Sequence, residues 1–423
     1  MTKSTVKIDP SCMDDFDPNS LPAEEALRRI LDGVKPVSGV EKIPVRNALD
    51  RVIAEEITSR INVPSDTNSA MDGYALRGED LPTSGNCEIS VVGTAWAGHP
   101  FRKRIRTGEC VRIMTGAPMP EGTDTVVMQE HVEPHNGRIK VDARHKRGQN
   151  VRQAGEDLKA GGVVLFAGKR LTPAELGLLA SLGIGEVPVH RRIRVAFFST
   201  GDELRSIGEP LEPGFVYDSN RYSLHGMLSR LGVDIIDMGV IRDQRQDTLH
   251  AFQVAGSIAD AVITSGGVSV GEADFVKEAL DTVGQVNFWK VAMKPGRPLA
   301  FGRLGDALFF GLPGNPVSVM VTFYLFVQPA LKRLMGESDT APPLLLKARC
   351  ESDLRKKAGR TEYQRGILSV DAHGNLIVKK TGPQGSGILH SMTEANCFVI
   401  LPTETESVVP GATVRVLPFS EIV

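Results

Sequence analysis

The chain has 423 residues, 41% of them hydrophobic, which is more than one hydrophobic core usually supports, so two to four domains are expected. Its 49 Lys plus Arg against 51 Asp plus Glu leave a formal net charge of -2, which excludes a whole-chain electrostatic footprint for nucleic acid or an anionic membrane. The five cysteines (Cys12, Cys87, Cys110, Cys350, Cys397) form no C-x-x-C pair and the histidines are dispersed. That argues for a reducing compartment and against a disulfide framework or a protein-made transition-metal site.

Residues 1–20 lack the apolar core of a signal peptide and read as a polar, mobile tail, so a cytoplasmic protein is expected. PAEEALRRILDGV (22–34) has a helical apolar pattern after a proline start, but one helix cannot form a core. From about 60 to 150 the texture changes to short alternating segments broken by Gly and Pro, such as CEISVVGTAWAGHP, which predicts a β-rich module. LTPAELGLLASLGIGEVPVHR (171–191) reads as a short helix closed by glycine and then a strand. Residues 151–190 are therefore expected to join 21–59 in one discontinuous domain interrupted by the module at 60–150.

Residues 191–337 alternate strand and helix patterns, the signature of a parallel α/β sheet. IRVAFFS, VDIIDMGVI and ADAVITS are the predicted strands. Leu224, Met227, Leu228 and Leu231 fall at helical spacing before Gly232. The run PVSVMVTFYLFVQPAL is too short to span a bilayer and predicts a buried helix. Residues 338–423 return to β texture, consistent with a small C-terminal barrel. The predicted fold class is thus multidomain: a central α/β domain with a parallel sheet, a β-rich inserted module and a C-terminal β-barrel.

In an open parallel sheet, ligands bind outside the carboxyl ends of the strands. Asp202 and Glu203 follow the first predicted strand, Asp243 the second, and Glu272 and Asp274 the third. SGGVSVGEAD (265–274) lies between a strand and a helical pattern shared by Phe275, Val276, Ala279, Leu280 and Val283. Such a loop offers free backbone N–H groups to an anion, and its glycines allow close approach. Its carboxylates would repel that anion unless a cation intervened. Mg²⁺, which joins one or two carboxylates to substrate phosphates, resolves the conflict.

Taken singly, each acid also suits a turn or a helix start. Lys290, Lys294 and Arg297 can face the same cleft rim, whereas Lys277 reads as solvated. GLPGNPVSV fixes a rigid loop suited to a planar base. With no G-x-x-x-x-G-K-[ST] and no G-x-G-x-x-G, the chemistry these residues fit is cleavage or formation of a phosphoanhydride.

The motifs NSAMDGYA, MTGAPMPEG, GEDL, STGDEL, SGGVSVGEAD, KPGRP and GLPGNPVS, in that order, resemble those of the molybdopterin molybdenumtransferases, a family similar to the C-terminal region of gephyrin. The resemblance implies an elongated four-domain subunit in a homodimer, with active sites shared across subunits. It implies insertion of molybdenum from molybdate into adenylylated molybdopterin, with Mg²⁺-dependent hydrolysis and release of AMP. The metal would then be held by the pterin's sulfurs, consistent with the missing Cys/His cluster. A molybdopterin adenylyltransferase and acceptor molybdoenzymes become candidate partners, with no nucleic acid and no membrane.

By the family's pattern the working carboxylates are Asp72, Asp157, Glu203, Asp243 and Asp274, with Asp243 and Asp274 on the Mg²⁺ side and Glu203 shaping the nucleotide site. Thr115, Lys290 and Lys294 would contact substrate oxyanions. Ser265, Gly266, Gly267 and Ser269 would cradle phosphate, and Pro313 and Pro316 would form the rigid wall. Arg365 and Ser386 would help hold molybdate, although Gly387 follows Ser386 where many family members carry histidine. Two other readings compete. An ATP-dependent molybdopterin adenylyltransferase is suggested by residues 191–337, against which the motif-bearing N-terminal sequence argues. A non-catalytic, gephyrin-like scaffold has no need for clustered like charges.

Overall fold

The computed structural model describes residues 20–267, 279–280, 282–338 and 341–422. The chain divides into two compact units, residues 42–189 and residues 1–41 with 190–423.

In the first unit a six-stranded sheet forms from β1 (Gly73–Leu76), β2 (Asn86–Ala95), β3 (Glu109–Ile113), β4 (Thr125–Met128), β5 (Glu133–His135) and β6 (Arg138–Asp142), in the order β4-β1-β3-β2-β6-β5. All neighbours are antiparallel except β2 and β3. Alternation places Tyr74 and Leu76 in one buried cluster with Val127 and Ile139, and Ala75 in another with Val111 and Val126, so both faces of the sheet are covered. Elsewhere in this unit Ile53, Leu165, Leu171, Val187 and Val189 pack with Leu179 of α1 (Pro173–Ser181). Thr172 and Glu175 cap that helix reciprocally, as a T-x-x-E start should.

The second unit contains a mixed sheet. β7 (Arg194–Thr200), β8 (Asp234–Ile241) and β9 (Ala261–Ser265) are the three predicted strands. They are joined by β10 (Gly284–Lys290), β12 (Pro298–Leu304) and β13 (Ala307–Leu312), in the order β8-β7-β9-β13-β12-β10; a short strand, β11 (Met293–Lys294), lies outside this sheet. The first four run parallel, and β12 and β10 extend the sheet antiparallel. The basic residues Lys290, Lys294 and Arg297 of this antiparallel extension lie at the end of β10, on β11 and just before β12.

Helix α2 (Ser219–Leu231) connects β7 to β8. Asp218 caps its start, accepting a hydrogen bond from the Arg221 N–H, and Gly232 ends it at φ 72, a left-handed turn that glycine adopts without strain. Leu224, Met227, Leu228 and Leu231 are buried as the spacing predicts. Helix α3 (Arg245–Ile258) connects β8 to β9 and covers the other face, where Phe252 lies 5.5 Å from Phe198 and edge-on to Phe309 at 5.6 Å. Ala279 and Leu280 belong to this core; Phe275 and Val276 lie outside the described residues.

The predicted buried helix starts as α4 (Pro316–Thr322), passes through a π-helical turn at Phe323–Val327 and continues over Gln328–Leu334. The N-terminal helix Ala23–Asp32, expected to join residues 151–190, belongs instead to this unit. The Leu21 N–H donates to Lys290 O at 2.8 Å, the Val37 N–H to Leu334 O at 2.9 Å and Arg333 Nε to Val34 O at 3.2 Å. Its spacing showed a stripe needing cover but not which element supplies it. No helix among the described residues is long and apolar enough to cross a membrane.

The C-terminal region closes into a five-stranded barrel of β14 (Leu346–Cys350), β15 (Thr361–Val370), β16 (Leu376–Lys380), β17 (Cys397–Leu401) and β18 (Thr413–Pro418), with β15 pairing to both β16 and β17. Cys350, Val378, Cys397, Val399 and Val416 fill it. β11 joins the barrel as a parallel strand on β15, pairing Lys294 with Glu362.

At the start of the sheet Asp260 accepts hydrogen bonds from Arg191 Nη1 (2.8 Å), Arg191 Nη2 (2.6 Å) and the Arg194 N–H (2.7 Å). Burial pushes the Asp260 carboxyl up, but these donors and their charges outweigh it and hold it below its ordinary value. A depressed folded-state pKa contributes stability above the unfolded value, lost as pH falls through the folded one. Asp260→Asn should cost about 2 kcal/mol at neutral pH, in the range for hydrogen bonds to charged groups. The gap to the wild type in urea midpoints should begin to narrow as the pH is taken below about 4 and close as it falls through the lower folded-state value; a gap independent of pH would show that the charge is not what Asp260 contributes.

Candidate functional site

The carboxyl ends of the parallel strands open on a cavity of about 1080 Å³ in the second unit. After β7 the chain turns through Gly201 at φ 149; a Cβ there would lie 2.6 Å from Glu203 Oε2, so glycine allows the Glu203 carboxylate to fold back over the turn. Asp202 Oδ1 accepts the Asp243 N–H at 3.2 Å, tying the ends of β7 and β8 together. After β9, Gly266 sits at φ 89, where a Cβ would meet Thr200 O at 2.6 Å. Glu203, Asp243, Gly266 and Gly267 all line the cavity. Asp274 and Ser269 lie outside the described residues.

Two predicted cradle and wall residues have other roles. Ser265 is buried, with its hydroxyl 2.9 Å from that of Ser199, and does not line the cavity because its position on β9 points it into the sheet's interior. Pro316 occupies the first turn of α4, where a missing N–H costs nothing, and leaves Pro313, Gly314 and Asn315 to form the wall. Asn220 of α2 fixes that wall by donating from Nδ2 to Gly314 O at 2.7 Å.

The opposite lining is basic. Lys290, Lys294 and Arg297 come from the β10–β12 hairpin, and Arg355, Arg360, Arg365 and Lys380 from the barrel. Lys294 Nζ lies 3.5 Å from Glu362 of β15, a carboxylate that also accepts from Gln364 Nε2 at 2.8 Å. Arg365 is 1% exposed. Its Nε donates to Ser391 Oγ and its Nη2 to Gly385 O, both at 2.9 Å, and its backbone N–H to Gln384 Oε1 at 2.7 Å. All these acceptors are neutral, and burial lowers the guanidinium pKa to about 10, which still leaves it charged at neutral pH. A buried cation held by neutral acceptors, beside Ser386 in the lining, attracts an oxyanion.

The barrel residues Glu362, Gln364 and Gln384 and the basic side chains Arg355, Arg360 and Lys380 were missed in the sequence. The run TEYQRG, an acid and an amide on alternate positions before Arg365, was the one available signal. Among the described residues no group of three or more His, Cys, Asp or Glu could hold a metal ion by itself. Asp202, Glu203 and Asp243 nevertheless suit a hard cation such as Mg²⁺, which takes one or two protein carboxylates and completes its shell with water and phosphate oxygens.

The remaining predicted residues belong to the first unit. Asp72 and Thr115, predicted from separate motifs, meet: Asp72 Oδ1 accepts from the Thr115 N–H at 2.7 Å and the Thr115 hydroxyl at 2.8 Å. Those two hydrogen bonds, backbone first, hold the Asp72 carboxyl below its ordinary value. Asp157 is exposed, and its backbone N–H donates to Val63 O at 3.0 Å.

Three family profiles match the chain in order: "MoeA N-terminal region (domain I and II)" over residues 21–183, "Probable molybdopterin binding domain" over 196–333 and "MoeA C-terminal region (domain IV)" over 347–419. A molybdopterin molybdenumtransferase of Haemophilus influenzae is 46% identical over 403 residues, covering 95% of this chain and 99% of that protein. The one from Bacillus subtilis is 34% identical, covering 95% and 94%. The crystal structure of a molybdopterin biosynthesis MoeA protein from Pyrococcus horikoshii superposes with a TM-score of 0.81 at 31% identity, covering 94% of this chain and all of that one. Matched over nearly its whole length by these profiles, relatives and fold, the chain belongs to the molybdopterin molybdenumtransferase family.

Proposed function

We propose that the protein inserts molybdenum from molybdate into adenylylated molybdopterin, with Mg²⁺-dependent hydrolysis of the adenylate and release of AMP, as a cytoplasmic enzyme. The observation that carries this reading is the buried Arg365 guanidinium, which among the described residues donates to the neutral acceptors Ser391 and Gly385, in a cavity that also presents strand-end carboxylates. A pocket for a single anion would need no acids, and a pocket for a cation alone would need no buried arginine.

In the proposed reaction water attacks the adenylyl phosphorus, the phosphoanhydride bond breaks, AMP leaves and the terminal phosphate of molybdopterin is regenerated. Asp243 and its hydrogen-bonded neighbour Asp202, together with Asp274, would hold Mg²⁺, which when bound neutralises charge on the substrate phosphates. Gly266, Gly267 and Ser269 would present backbone N–H groups to phosphate, and Lys290 and Lys294 would bind substrate oxyanions. Glu362 would keep Lys294 extended toward the cavity. Glu203 shapes the nucleotide site, Pro313 supplies a flat wall, and Arg365 with Ser386 would bind molybdate, whose charge and tetrahedral oxygens suit a guanidinium and a hydroxyl. Asp72, Asp157 and Thr115 would act from the first unit, within a homodimer whose active sites are shared between subunits. The adenylyltransferase that supplies the adenylate and the molybdoenzymes that accept the product would be its partners.

The decisive experiment incubates the purified protein with adenylylated molybdopterin, Mg²⁺ and molybdate, and follows AMP and metal-bound pterin. Asp243→Asn should lower kcat by about a hundredfold or more, the scale of losing one transition-state electrostatic contact, with the circular dichroism spectrum unchanged. Release of AMP at the wild-type rate would remove Asp243 from the reaction.

Arg365→Lys keeps the charge but loses the planar fork, and should raise the apparent KM for molybdate about tenfold or more. An unchanged KM would disprove the molybdate assignment. For the shared site, Asp72→Asn and Asp243→Asn subunits, each inactive alone, should recover about a quarter of wild-type activity after mixing and reassortment. Half the dimers would then be mixed, each with one intact site. No recovery in demonstrably mixed dimers would place both residues in the same subunit's site.

A further inference from the structure

A second basic cavity, of about 800 Å³, lies in the first unit on the loop between β2 and β3. The loop reads FRKRIRTGE over residues 101–109, a concentration of positive charge in a chain whose net charge is -2. The strand β2 makes room for it: a Cβ at Gly93 would lie 2.4 Å from the Phe101 ring, so only glycine lets that ring lie against the strand. Ile105, 2% exposed, anchors the loop through its N–H to Glu121 O at 2.8 Å. Phe101, Ile105 and Val92 therefore give the cavity an apolar side.

The polar side is Arg77, Lys103, Arg104 and Arg106. Arg77 is preset, donating from Nη2 to Glu79 Oε2 at 2.7 Å and from Nη1 to the Thr107 hydroxyl at 3.0 Å. Arg104 stands 3.8 Å from Glu121. Lys103 and Arg106 have no acidic partner among the described residues, and the one lining carboxylate, Glu109, accepts from the Arg106 backbone N–H at 2.9 Å. Arg77, held by Glu79 and Thr107, and the exposed cations Lys103, Arg104 and Arg106 thus line one concavity beside an aromatic ring. The volume falls within the usual range for small-molecule sites, and the mixture of apolar wall and few charged groups is what such sites present. A free oxyanion would leave the apolar wall without use, whereas nucleic acid would need a continuous basic stripe in place of a concavity confined to one loop and its flanking strand.

We infer that this cavity is a second ligand site, separate in sequence and in unit from the strand-end cavity, and that it takes a nucleoside polyphosphate. The phosphates sit between Lys103, Arg106 and Arg77, and the ring system lies toward Phe101 and Val92. Lys103 and Arg106, with no acidic partner among the described residues, suit a ligand of at least two negative charges, and the aromatic side favours a ring-bearing ester over inorganic polyphosphate.

Titration calorimetry of the full chain with ATP, without divalent metal, tests this, with Lys103→Ala/Arg106→Ala and Lys290→Ala variants and with tripolyphosphate as the ring-free probe. The double variant changes only exposed side chains, so it should fold; its thermal melting curve checks that. The expected result is a binding event weakened about tenfold or more in the double variant, retained in Lys290→Ala and weaker for tripolyphosphate than for ATP. Wild-type ATP binding by the folded double variant, loss of the event in Lys290→Ala, or tripolyphosphate binding as tightly as ATP would overturn the inference.

Discussion

Parallel alignment of β7, β8, β9 and β13 is the constraint on which the cavity of the second unit depends. Parallel strands require crossover connections, and their carboxyl ends all emerge on one edge of the sheet. Residues as distant in sequence as Glu203, Asp243, Gly266 and Pro313 therefore converge without any local attraction among them. The carboxylates repel one another, and what keeps them together is the strand pairing, the Asp243 N–H to Asp202 hydrogen bond and the apolar packing of Phe198, Phe252 and Phe309. The fold holds an arrangement that electrostatics alone would disperse.

The hairpin of β10 and β12 converts this edge into an enclosed cavity. Its connection leaves the sheet as β11 and is captured by β15 of the barrel, so that Lys294 and Glu362 face each other in adjoining strands. One strand addition thus brings the barrel's buried Arg365 to the acids of the sheet. Backbone hydrogen bonding between the two folds carries the alignment, which is more rigid than contact between side chains alone.

Elsewhere the same logic appears on a smaller scale. Asp72 and Thr115 come from separate motifs of the first unit and are joined by two hydrogen bonds to one carboxylate oxygen, which orients the acid and keeps it ionised. Gly201, Gly266 and Gly93 each stand where a side chain would collide with a neighbour, and each lies beside a cavity.

The sequence by itself determined the fold class, the order of β-rich, α/β and barrel segments, and the family, because apolar periodicity, turn residues and contiguous motifs are local properties. It also marked the strand-end acids, since a carboxylate directly after an apolar run must fall at a sheet edge. Only the tertiary structure decided that Ser265 turns its hydroxyl to Ser199, that Pro316 begins a helix and not a wall, and that the helix Ala23–Asp32 packs on residues near 334. It alone disclosed Glu362 beside Lys294 and the burial of Arg365. Each of these depends on a partner far away in the chain, and no local pattern of residues encodes the identity of a distant neighbour.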